Sequence, residues 1–111
     1  MEQQTYLIKF DHVSAADANH YAHELRDSLL EASSDIQAYQ RRDDSRTQDV
    51  GSTLVLVLGT PAVIAIAKAI GDWLKLRNSA SLTIEKDGQV IAKNLTSKDA
   101  LKLAELMLTK K

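Results

Sequence analysis

The 111-residue chain balances 14 Lys and Arg against 15 Asp and Glu, a formal net charge of -1, and contains no cysteine. That length supports one hydrophobic core and leaves little room for a second. The near-neutral balance gives no global field to draw nucleic acid or an anionic membrane, and the lack of thiols removes disulfides, thiol nucleophiles and cysteine-based zinc sites together.

The first stretch, MEQQTYLIKF, lacks a basic start followed by an apolar run, so no signal peptide is expected and a cytoplasmic location is. Without secretion, the NLT sequon at Asn94 reads as chance. TYLIKF predicts a strand, with Tyr6, Ile8 and Phe10 on one face and Thr5, Leu7 and Lys9 on the other. Leu7 implies that the second face is also partly covered.

Ser14 then suits an N-cap, with Asp17 three residues on, for a helix running to about Ala32. Its apolar stripe is Ala18, Tyr21, Ala22, Leu25, Leu29 and Ala32. DIQAYQR reads as a second, weaker strand. RRDDSRTQD after it is expected to be a solvated loop, because Asp43 and Asp44 cancel most of the field of Arg41, Arg42 and Arg46.

From Val50 to Ala67 no side chain is charged. Thr60-Pro61 divides this run, since Pro fits the first position of a helix and Thr its cap. The first piece, VGSTLVLVL, is short enough to be a helix or a buried strand; its closeness to a helix start favours helix. The second piece predicts a helix from Pro61 to about Arg77. A membrane span needs about 20 apolar residues; Gly59-Thr60-Pro61 breaks the run, and Lys68 and Asp72 follow too soon. Membrane association through residues 50–77 is therefore a lesser alternative.

The polar side chains of this second helix, Lys68, Asp72 and Lys75, form one narrow stripe, and nearly everything else is apolar. Such a helix is either central to its own core or buried a second time by a partner. The expectation adopted is a partner or self-association interface through Ile64, Ile70, Trp73, Leu74 and Leu76.

SLTIEKDGQVIAK predicts a hairpin about Asp87-Gly88, a dipeptide suited to a two-residue turn with positive φ. A regular register sets Ile84 opposite Ile91, on the buried face with Leu82. LTSKDALKLAELML predicts a last helix capped by Thr96 with Asp99, burying Leu101, Ala104, Leu106, Met107 and Leu108. The whole reads as one α+β domain, 1–111, with a small four-stranded sheet in the order strand, helix, strand, helix or helices, hairpin, helix.

Catalytic chemistry is sparse. His20, His23, Glu24 and Asp27 fall on adjacent turns, but their spacing departs from H-E-x-x-H, and a solvated face with a His23–Asp27 pair accounts for them. His12 follows Asp11 where the first strand ends, yet no G-x-S-x-G elbow supplies a nucleophile. No glycine-rich phosphate loop occurs, and aromatics at 5% are too few for base stacking. The expectation is a protein without enzymatic activity, cofactor or metal; a small metal-dependent or hydrolytic enzyme using His12, His20 and His23 is the alternative.

The stretch DVGSTLVLVLGTPAVIAIAKAIGDWLKLRNSASLTIEKDGQVIAKNL joins an acidic loop, Gly, an apolar run, small-Pro-Ala, a helix ending D-W-L and a D-G hairpin. In this it resembles the effector-associated constant component family of bacterial conflict systems. The resemblance spans roughly the C-terminal two thirds of the chain, and SLLEASSDIQAYQRRDD before it is compatible. It implies an adaptor encoded beside or fused to effectors such as caspase-like peptidases, in NTP-regulated immune or programmed-death systems. It implies a protein partner and no catalytic residues.

Overall fold

The computed structural model of the chain describes residues 3–42, 52–77 and 79–109. Its elements run β1 (Gln3–Phe10), α1 (Ala15–Ala32), β2 (Gln37–Arg42), β3 (Ser52–Gly59), α2 (Val63–Leu76), β4 (Leu82–Lys86), β5 (Gln89–Leu95) and α3 (Leu103–Thr109). Short 3-10 segments, Thr60–Ala62 and Ser97–Lys102, lead into α2 and α3. The α+β class is as expected, but the sheet has five strands, in the order β2-β3-β1-β4-β5, every neighbouring pair antiparallel.

The additional strand is β3, the piece expected to be helical. It lies between β2 and β1, so the ladders on both sides satisfy its backbone. Leu54, Leu56 and Leu58 are fully buried on one face, while Val55 and Val57 point to the other. An interior strand flanked by apolar neighbours has no polar alternation to show, which is why its period was invisible.

All three described α-helices lie against one face of the sheet. Leu25 and Leu29 of α1, Ile66, Ile70 and Leu74 of α2, and Leu103 and Met107 of α3 share a core with Tyr6, Ile8, Leu54, Leu56, Leu82 and Ile84. Ser14 caps α1 as its sequence implies, its hydroxyl accepting the Asp17 amide at 3.1 Å. The stripe holds at Ala18, Ala22, Leu25 and Leu29; Tyr21 is half-buried and Ala32 exposed.

Thr60 does not cap its helix. Thr60 and Pro61 lie in a 3-10 turn that Gly59 precedes, α2 itself starts after Ala62, and the Thr60 hydroxyl instead faces Gln4 Nε2 at 3.4 Å. The C-terminal capping box forms, with the Thr96 amide donating to Asp99 Oδ2 at 3.0 Å, but it opens a 3-10 segment rather than α3 itself. Leu103 and Met107 are buried and Leu106 partly so; the side chains of Leu101, Ala104 and Leu108 lie outside the described residues. So does the loop of Asp43, Asp44 and Arg46.

The hairpin turns at Asp87-Gly88, with φ of 52° and 82°, as two-residue turns of this kind require. Its register differs from expectation: Glu85 faces Val90, but Ile84 faces Ala92 and Leu82 faces Leu95. Two irregularities each insert a residue into β5, so Ile91 is not opposite Ile84. Adjacent Ile91 and Ala92 are both buried, which a regular strand could not arrange, and Asn94 takes up the second kink at φ 54°.

Candidate interaction surface

Helix α2, the expected interface, is divided by the fold. Ile70, Trp73 and Leu74 are 0%, 3% and 0% exposed, so these three expected interface residues belong to the chain's own core. Ile64 and Leu76, at opposite ends of the helix, are 62% and 83% exposed. The polar stripe faces outward, with Lys68 Nζ 3.0 Å from Asp72 Oδ2. Trp73 is covered by Phe10 of β1 and by Tyr21 and Glu24 of α1, a coverage invisible in a single-helix pattern.

The polar constellation on α1 also divides. Glu24 turns inward toward α2: its Oε1 accepts the Trp73 indole N–H at 2.9 Å and Arg77 Nε at 2.7 Å, and its Oε2 accepts Arg77 Nη2. The Arg77 guanidinium, followed by the indole, holds the Glu24 carboxyl below the usual range against the opposing effect of burial. Beneath this clasp the rings of Phe10, Tyr21 and Trp73 contact one another, with centroids 5.5 to 6.1 Å apart. His20 and His23 remain exposed, 3.8 Å from Glu24 and 3.5 Å from Asp27 respectively.

Asp11 acts as a loop anchor. Its carboxylate accepts the hydroxyls of Thr83, at 2.9 Å, and Ser81, at 3.2 Å, tying the end of β1 to the start of β4. His12 is exposed on the turn that follows, at φ 61°. Among the described residues no three His, Asp or Glu side chains converge as a metal ion requires. No helix among them is long and apolar enough to cross a membrane.

The other face of the sheet is where apolar surface is left over. Pairing places Tyr39 beside Val55, Val55 beside Leu7, Leu7 beside Glu85, and Glu85 beside Val90. One row of side chains thus crosses all five strands, and four of its members are apolar. Leu7 at its centre is half-buried, and Val55 beside it is buried yet stands apart from the core that the helices share. Tyr39 and Val90 at the ends are 49% and 52% exposed. The carboxylate of Glu85 is paired with Lys9 at 3.0 Å. Leu7 was the sole sequence hint of this face; Tyr39, Val55 and Val90 join it only through the register.

Through β4 the chain reads β-α-β-β-α-β, with β3 and β1 central and β2 and β4 flanking them. This frame is ferredoxin-like. The hairpin partner β5 and helix α3 are added beside β4. A de novo designed protein with ferredoxin fold, solved by solution NMR, is similar in architecture: TM-score 0.50, 13% identity, 78% of this chain and 86% of that one covered. At that identity the likeness is one of fold alone. No protein-family model matches the sequence, and no curated protein matches it.

Proposed function

We propose that the chain is a non-enzymatic interaction module that couples a regulator or sensor to an effector in a bacterial conflict system. The observation that carries this is the row Tyr39–Val55–Leu7–Glu85–Val90 on a sheet face that no described helix covers. Aromatic and branched side chains with a polar surround are the composition of an interface centre. Asp11 and Glu24, the carboxylates beside the histidines of the enzymatic alternative, are occupied in holding strands and helices together. The resemblance to effector-associated components supplies the class of partner: a protein encoded nearby, such as a caspase-like peptidase or its regulator, met in the cytoplasm.

The test is co-expression with the products of adjacent genes, followed by chromatography with light scattering. A complex of fixed stoichiometry is expected, lost in Val90→Glu and kept in Leu76→Glu, with both variants matching the parent's circular dichroism and melting. A complex indifferent to Val90→Glu would move the binding surface elsewhere. The absence of any complex with the neighbouring products would overturn the adaptor reading.

A further inference from the structure

The sheet ends in two unlike edges. Each edge strand leaves half of its N–H and C=O groups unpaired by the ladder, which makes it a template for another strand. On β5 that template is broken: two register irregularities and the left-handed Asn94 interrupt the spacing, and Lys93 is exposed beside them. On β2 it is intact. All six residues, Gln37 to Arg42, pair with β3 in unbroken register. The strand contains no Pro, Gly or Lys, and Gln37–Gln40 is uncharged. Its charges stand at one end, Arg41 and Arg42, while the exposed Asp35 stands just before the other.

We propose that a second copy of this chain pairs antiparallel along β2, joining the two sheets edge to edge about a twofold axis. Antiparallel self-pairing brings the basic end of each β2 against the acidic end of its mate, twice by symmetry. A register centred on Ala38 sets Asp35 opposite Arg41 of the other copy and Gln37 opposite Tyr39. A parallel arrangement would instead stack arginine on arginine. Once both β2 edges are paired, growth beyond two copies would need β5 to pair with β5 of another dimer, and the bulged β5 edge does not offer a regular ladder. The assembly therefore closes as a dimer rather than extending as a fibre.

The experiment is the solution mass of the purified chain against concentration, by sedimentation equilibrium. A reversible dimer is expected. Arg41→Glu and Asp35→Lys, each altering two symmetry-related pairs, should raise its dissociation constant on the order of tenfold. Asp35→Lys combined with Arg41→Glu should restore it. Amide hydrogen exchange gives a readout free of substitution: protection within residues 37–41 rises with concentration and protection along β5 does not. A monomer at every concentration overturns the proposal, and so does a dimer whose affinity ignores both reversals. Every measurement uses the chain alone, so the dimer is decided separately from any effector partner.

Discussion

Glu24 of α1 accepts the indole N–H of Trp73 of α2 at 2.9 Å, and the same carboxylate receives Arg77. One acidic side chain therefore joins the two long helices above the Phe10–Tyr21–Trp73 cluster. Its folded-state carboxyl binds protons less readily than the unfolded one, whose ordinary value is 4.5. The stabilisation it provides is fully present above that value and is lost as pH falls through the lower, folded one. Glu24→Gln should unfold more readily near neutral pH and converge with the parent in acid. Urea titrations at a series of pH values check this; parallel curves at all pH would refute it.

Helix α2 offers a direct contrast between core and surface. Ile70→Ala, at a fully buried position, should cost about 2–5 kcal/mol. Leu76→Ala, at an exposed one, should change stability by no more than about 0.5 kcal/mol. Chemical denaturation of the two variants measures both.

Gly88 tests the turn. At φ 82° a Cβ would meet no atom within 4 Å, so Gly88→Ala has no clash to answer for and only the backbone conformation to oppose it. A loss of about 1–2 kcal/mol is expected from that source, read from the shift in urea midpoint at constant slope.

Thr96 tests the last helical segment. Thr96→Ala removes the hydroxyl that accepts the Lys98 amide and half of the capping box with Asp99. Such a cap contributes about 1 kcal/mol. The loss should appear as faster amide exchange across residues 97–107, with the β1–β3 ladder unaffected.

Local chemistry was legible where one or two residues decide the geometry. Ser14 starts α1, Asp87-Gly88 makes the turn and Thr96 with Asp99 closes a cap, because each choice depends on nearby backbone alone. What escaped depends on distant strands. Leu54 to Leu58 became a strand because β2 and β1 flank it, and nothing within the run says so. The residues inserted near Ile91 and Asn94 shift the register without altering the hydrophobic pattern enough to betray themselves. Glu24 looked solvated on a helical projection because a flexible carboxylate reaches a neighbouring helix that the projection omits. The outer row was hidden for the same reason: Tyr39, Val55, Leu7 and Val90 are far apart in the chain and meet only by pairing.

The position of β1 governs the order in which this molecule can be made. Tyr6 is flanked by Leu56 on one side and Lys86 on the other, so the middle strand waits for partners that follow it far along the chain. On the ribosome, β1 emerges ahead of both strands that flank it, α1 and the β2–β3 hairpin form from nearby residues, and β3 becomes the first neighbour β1 can pair with. Only when β4 has left the exit tunnel can the centre of the sheet close. Such distant pairing must meet its loop-closure entropy before contacts reward it, so refolding should be slower than in a helical bundle of equal length.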